Sequence, residues 1–451
     1  MNRASDSRRR SVDFRDGRGL NPRRAVGPHF AFAEAHYVTA GFLPLSEARL
    51  MQRIRLLLPL LLWVAPLAAQ VPQGPVPADT TAPADTTERS DTTTTGEVEP
   101  KTPWRTSYFP YLTGAPNDGP VVAFRVHHFQ PAEYDARVTT NAAFTAETGI
   151  TFRGGRHIIL RFRAPQLWKN WRLKALAAAV REVRFGYFGV GNNTVENGDL
   201  VTPQQPYLYR VRRARYGGQV EVTRRVRGPL QVALLGYVER TRFTTLPLPS
   251  VFKTDFGPEL KETDFSGRVA LVYDTRDKEY NPHQGLLLEA GAQAGTGGDG
   301  YTRLYSVLRG YLSPREGTLI AARLAASGIG GTPNLNARYL IPAWEDQIPA
   351  LGGPYSHRSF DTGRFAGKGV LFGNLEVRHD LLAFGDLGAI TLIAFTDAGR
   401  VFEGEKFTTK DLKVGGGGGI GLRILRSTIF TFNFAGGPDG FNFSVGSGWM
   451  F

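Results

Sequence analysis

The sequence predicts an all-β chain: an antiparallel transmembrane β-barrel of about 16 strands, preceded by a signal peptide and a disordered tail. Three observations predict it. An export signal starts at Met51, period-2 alternation recurs from Trp104 onward, and the chain ends on an aromatic pattern at Phe451.

Length and composition set the bounds. A soluble chain of 451 residues usually divides into two or three domains, whereas a membrane barrel uses most of such a length in one. No stretch of 18 apolar residues occurs, so a helical span is not expected. The 53 Gly, 29 Phe and 16 Tyr suit tilted strands with aromatic girdles. Composition alone leaves a soluble all-β fold open.

The chain has no Cys, which removes disulfides, thiol nucleophiles and Cys-based metal sites. Its eight His are scattered without metal-ligand spacing. No metal or other cofactor is expected. The net charge is +13. Residues 1–50 carry nine Arg against five acids, and residues 102–451 carry 41 basic and 30 acidic residues. A basic chain can bind nucleic acid, but export puts it in the wrong compartment. A basic lumen, or contact with anionic lipid headgroups, fits better.

From the N-terminus, residues 1–50 are Arg-rich and aperiodic. They read as a mis-assigned start, with Met51 the true initiator, or as a disordered leader; the first reading is favoured because a signal peptide works from the N-terminus. Residues 51–69 have the layout of a secretory signal: Arg53 and Arg55, an apolar run from Leu56 to Leu67, and small residues at Ala68-Ala69. Residues 70–103 are rich in Pro, Thr, Ala and Asp. They cannot bury enough apolar area to offset their ordering entropy, and read as a disordered periplasmic linker.

Residues 104–451 form the barrel candidate. In Arg156–Ala164, Ile158, Leu160, Phe162 and Ala164 take one face and Arg161 and Arg163 the other. Strict alternation gives one apolar and one polar face. In a membrane barrel these face lipid and lumen. Further strands are expected at Gly119–Phe129, Tyr207–Arg227, Pro229–Phe243, Phe265–Asp274, Leu286–Ala294, Tyr301–Leu312 and Gly317–Ala326. The series continues with Leu371–Leu381, Leu387–Phe402, Val414–Leu425 and Thr428–Ala435. Turn residues such as Asn192-Asn193 and Gly436-Gly437-Pro438-Asp439-Gly440 punctuate them. Ala175–Ala179 could be helical and reads as part of a long strand.

The last strand carries the sharpest local signal. Ser444, Gly446, Trp449 and Phe451 match the C-terminal β-signal of outer-membrane proteins. Phe441, Phe443, Val445, Trp449 and Phe451 share the parity expected to face lipid, with Asn442, Ser444, Gly446 and Gly448 inward. The strand is expected to close onto the first one.

Several segments over roughly Phe185–Phe451 resemble the BamA/TamA superfamily, also called the bacterial surface antigen family. Tyr187-Phe188-Gly189-Val190-Gly191-Asn192-Asn193-Thr194 is similar to a loop of short members. Asp274, Arg276 and Asp277, followed by Pro282 and Gly285, resemble the family's Asp-x-Arg-Asp strand end. Gly352-Gly353-Pro354-Tyr355-Ser356-His357-Arg358-Ser359-Phe360 resembles the loop that enters the lumen. Asn374–Arg378 resembles its Glu-x-Arg strand, and Phe395–Gly399 its Phe-x-Asp-x-Gly strand.

The resemblance implies a loop tip at Gly352, Gly353, Ser359 and Phe360, with Arg358 reaching Glu376 and Asp397 on the wall. Bidentate Arg–carboxylate pairing is the chemistry that suits such an anchor. In a wet lumen its loss would cost roughly 1–3 kcal/mol. The family usually has Gly at the position of Ser359 and an aliphatic residue at that of His357. No room appears for the family's periplasmic POTRA domains, which dock clients, so the chain resembles a POTRA-less member.

The expected location is the cell outer membrane. The expected function is outer-membrane biogenesis: assembly, insertion or translocation of proteins or lipids. The partners are then outer-membrane lipid and a client or periplasmic protein, with no nucleic acid. The alternatives are a pore or transport channel, and a structural barrel for a periplasmic or surface partner. No enzyme is expected, because Ser356 and His357 adjoin on one loop and triad partners normally come from separate segments.

Overall fold

The computed structural model describes residues 102–451 apart from 116, 344, 345, 350, 426 and 427. The leader, the signal segment and nearly all of the linker lie outside the described residues. Sixteen antiparallel strands form one sheet in sequence order. They begin with β1 (Arg105–Ala115), β2 (Gly119–Pro131), β3 (Thr140–Thr151), β4 (Arg156–Trp168) and β5 (Trp171–Gly186). There follow β6 (Arg210–Arg227), β7 (Leu230–Thr245), β8 (Glu259–Asp274), β9 (Gly285–Gly295), β10 (Gly300–Arg315) and β11 (Thr318–Thr332). After a long insertion come β14 (Gly369–Ala383), β15 (Gly388–Phe402), β16 (Lys413–Ile424), β17 (Thr428–Gly437) and β18 (Gly440–Ser447). The insertion holds two short paired strands, β12 (Leu340–Ile341) and β13 (Ile348–Pro349). No described helix is long and apolar enough to cross a membrane.

Alternation decides which face each side chain takes. On β8, Phe265, Val269, Leu271 and Tyr273 are exposed, while Asp264, Ser266, Arg268, Val272 and Asp274 are buried. Ala175–Ala179 lies inside β5 and pairs with both neighbours. Two strands lack a clear sequence signal. β1 is interrupted by Pro110, and β3 is dominated by small and polar residues.

The barrel is nearly closed. β18 and β1 approach one another, but no backbone ladder joins them among the described residues. The expected closure by the last strand therefore stops short of hydrogen bonding. The expected outward parity also fails at the end of the chain. Phe441 and Val445 are exposed, as alternation requires, but β18 ends at Ser447 and Gly448 turns with φ +88°. The last residues then fold inward. Phe451 is buried with Tyr311, Leu319 and Ala321 of β10 and β11, whose inward faces they share. The Trp449 Nε1–H donates to Asn281 Oδ1 at 2.7 Å.

An even strand count puts both ends of the sheet at one rim. That rim has short turns, such as those between β6 and β7 and between β10 and β11. The other rim carries the long β5–β6, β11–β14 and β15–β16 connections. The β11–β14 insertion enters the barrel and builds a core there. Its Ile341, Ile348, Leu351, Phe360 and Phe365 pack with Val272, Leu287, Val307, Val370, Phe372 and Val401 of the wall. Each such burial contributes about 1.5–3 kcal/mol. The lumen around the insertion is thus a packed interior.

Candidate functional site: the anchored lumen loop

The loop tip begins with two glycines held in the left-handed region. Gly352 has φ +116°, and a Cβ there would lie 2.4 Å from the Asp361 carbonyl oxygen. Gly353 has φ +98° and meets Thr362 Oγ1 in the same way. No other residue type fits without moving the loop.

Arg358 then reaches the wall. Its backbone N–H and its Nε each donate to Asp397 Oδ2 at 2.9 Å, and Nη2 donates to Oδ1 at 2.7 Å. Nη1 bonds Glu376. The guanidinium also lies over the Phe395 ring, 3.4 Å from its centroid. β14 and β15 supply these partners through alternation: Asn374, Glu376 and Arg378 share the inward face, and Asn374 stands opposite Asp397. The expectation of a wet site needs correction. Arg358 is 1% exposed, Glu376 2% and Asp397 0%. The inserted loop seals its own anchor, so the ion pairs are dry and their loss costs more than a solvated pair would.

A second layer of residues holds the triad. Asn374 Nδ2 donates to both Asp397 Oδ1 and the Ser356 carbonyl at 2.7 Å. Arg323 of β11 donates to Asn374 Oδ1 and, at 2.7 Å, to the Tyr355 carbonyl. Arg378 donates to Glu376 Oε2 at 2.7 Å and to the Phe451 carbonyl at 3.3 Å, with its guanidinium over Trp449. Glu376 thus bridges the loop tip to the C-terminus. From β18, Asn442 Nδ2 donates to the carbonyls of Arg358 and Phe360. Arg323 carried no sequence signal, and Asn442 carried only its inward parity. Their roles depend on strands distant in the chain.

Ser359 does not need the glycine conformation at its position, since its φ is not positive. Its hydroxyl donates to the Gly436 carbonyl at 2.9 Å. The glycine run of β16 makes this fit possible: a Cβ on Gly415 would sit 2.0 Å from Ser359 Oγ. His357 is fully buried beside the Lys413 carbonyl, and burial holds its imidazole below the ordinary value. Ser356 exchanges hydrogen bonds with the Gly352 backbone. Ser356 and His357 therefore engage different backbone groups and not each other.

The long-loop rim braces the trailing end of the insertion. Arg364 donates to Asp439 at 2.6 Å and to Thr194 at 2.8 Å and 2.9 Å. Arg210 pairs with Asp361 at 2.7 Å. The Tyr187–Thr194 segment belongs to this brace: Gly191 N–H donates to the Ala366 carbonyl, and the buried Asn192 side chain bonds Val401 and Asp411 backbone. Nothing in the sequence marked Arg364.

The remaining residues singled out by sequence lie elsewhere. Asp274, Arg276 and Asp277 shape the β8–β9 turn at the short-turn rim. Asp274 Oδ1 accepts from the Arg276 N–H and Nε, and Asp277 Oδ1 accepts from the His283 N–H. Gly285 has φ +98°, with no space for a Cβ beside Thr275. Ser444 and Gly446 pair with Asn433 and Thr431. Among the described residues no His, Cys, Asp or Glu cluster could hold a metal ion.

The fold is similar to that of known structures. The crystal structure of BamA from Haemophilus ducreyi lacking POTRA domains 1–3 superposes with a TM-score of 0.51 at 12% identity, covering 78% of this chain and 71% of that one. CdiB from Escherichia coli gives a TM-score of 0.49 at 12% identity, over 77% of this chain and 62% of that one. CdiB from Acinetobacter baumannii gives 0.44 at 13% identity, over 75% and 59%. No curated protein matches the sequence. The model of the Omp85 superfamily domain matches residues 137–449, more than two thirds of the chain and nearly all of the sheet. This protein is a transmembrane β-barrel that belongs to the Omp85 superfamily.

Proposed function

We propose that this barrel serves outer-membrane biogenesis: the assembly, insertion or translocation of proteins or lipids. One observation carries the reading. β1 and β18 lie together without a shared ladder, so two strand edges stand next to lipid. Unsatisfied backbone groups cost several kcal/mol each in hydrocarbon. A client strand that supplies the missing partners, by β-augmentation, gains that free energy. Pro110 on β1 supports the same reading, because proline has no N–H to complete a ladder and is confined to edge strands. In this reading the protein resides in the outer membrane, its partners are lipid and a client protein, and it catalyses no covalent chemistry.

The test uses the full chain reconstituted in lipid vesicles. It should accelerate folding of a second outer-membrane barrel. Paired cysteines, one on β1 and one on β18, should abolish that acceleration when oxidised; the native chain has no Cys to interfere. Undiminished activity of the crosslinked barrel would remove the seam from the mechanism. A pore is the second reading, supported by the arginines along the open half of the lumen. Large, steady, anion-selective conductance in planar bilayers, without any effect on folding of a client, would favour it.

A further inference from the structure

The anchor fixes the inserted loop to β14–β17 and leaves the opposite half of the lumen hollow. There a cavity of about 2400 Å³ lies against the inner faces of β2–β7 and reaches β10 and β11. Its lining includes Arg161, Arg215 and Arg323, with the small Ala178 and Gly217 between the first two. Most lumen arginines are matched. Arg213 pairs with Glu182 at 2.6 Å, and Arg172 with Glu279 at 2.7 Å. Arg161 and Arg323 have no ion pair among the described residues, and Arg215 is paired only at long range. The Arg161 Nε is buried without a hydrogen-bond partner. Arg215 shares two long ion pairs, with Glu182 and Glu239 at 3.8 Å each, and its Nε has no hydrogen-bond partner. Arg323 spends its hydrogen bonds on the neutral acceptors Asn374 and Tyr355. A half-buried guanidinium whose Nε has no partner is incompletely satisfied, and a phosphate offers it two parallel hydrogen bonds.

The cavity also has a side door. Its lining continues through the unladdered seam onto Tyr108 and Leu112 of β1 and Phe430 and Phe432 of β17. All four have the parity that faces lipid. A polar, cationic chamber thus connects directly with an apolar outer surface. From this we infer that the chamber binds the phosphate headgroup of an anionic lipid that enters sideways between β1 and β18, its acyl chains remaining against Tyr108, Leu112, Phe430 and Phe432. Continuity with the lipid face distinguishes this ligand from a soluble anion. The inference requires only that the barrel sits in lipid; a barrel that does not accelerate client folding leaves it untouched.

The experiment extracts the full chain from vesicles of phosphatidylcholine with a small fraction of phosphatidylglycerol, and counts retained lipid by native mass spectrometry. The wild type should keep about one phosphatidylglycerol through washing. The double variant Arg161→Gln/Arg215→Gln should retain at least fivefold less. Ala178→Leu, which narrows the hollow without changing charge, should also lose it and serves if the double variant does not fold. Arg240→Gln, on the outward face of β7, should retain the lipid. Equal retention in the double variant and in Ala178→Leu would overturn the site, as would equal loss in Arg240→Gln, which marks annular lipid. Inorganic phosphate binding to the wild type with no lipid retained would assign the arginines to a free anion and overturn the lipid reading.

Discussion

Replacing Arg358 with alanine should release the lumen loop and leave the sixteen-stranded wall intact. The side chain makes three hydrogen bonds to the two carboxylates, and the three groups are at most 2% exposed. Breaking a buried pair by removing one partner costs about 3–5 kcal/mol, because a charge is left uncompensated. Here the loss falls at the low end. Glu376 keeps Arg378, and Asp397 keeps Asn374. At about 1.4 kcal/mol per tenfold, a loss of about 3 kcal/mol raises the population of released loop roughly a hundredfold. Limited proteolysis of the detergent-solubilised protein measures that population, with cleavage expected between Gly352 and Phe365. Arg358→Lys should be intermediate, since a point charge cannot span both carboxylates with the geometry of a guanidinium fork. Cleavage rates within twofold of wild type for Arg358→Ala would show that the apolar core holds the loop by itself and that the ion pairs are not an anchor.

Three further outcomes follow from the same geometry. Gly415→Ala drives a Cβ into Ser359 and should cost about 1–3 kcal/mol, read as faster loop cleavage; Ser359→Gly in the same chain should restore most of it, and purely additive effects would refute the contact. Glu196, in the β5–β6 loop, titrates at about 7, because burial and the nearby Asp361 disfavour its charge more than Arg364 favours it. Its folded value lies above the ordinary 4.5, so the stabilisation is full below that pH and is lost as pH rises through about 7. Cleavage of the β5–β6 loop should be faster at pH 8 than at pH 5, and Glu196→Gln should flatten the profile; an unchanged profile in that variant would place the titration elsewhere. Phe451→Ala should cost about 3–5 kcal/mol by emptying the contact with Tyr311, Leu319 and Ala321. Heat-modified gel migration should then begin at a lower temperature, and identical migration would mean the terminal ring does not pack in the lumen.

The alternation of apolar and polar residues was enough to place most strands, because a period of two assigns faces without reference to any neighbour. That is why Arg156–Ala164 and Asn374–Arg378 were legible, and with them the inward parity of Glu376; Phe395–Gly399 and the role of Asp397 came from the family resemblance. Pro110 obscured β1, since a proline argues against a strand unless the strand is known to be an edge. Parity failed at Trp449 and Phe451 because one left-handed residue, Gly448, ends the strand before them. Whether the anchor is wet or dry depends on the loop filling its half of the barrel, which no local pattern encodes. The sequence by itself determined the strand pattern and the charges available to each face. Only the tertiary structure decided which charges meet. Arg323, Arg364 and Asn442 act on segments brought together across the lumen, and the incomplete pairing of Arg161 and Arg215 follows only once every neighbouring strand is in place.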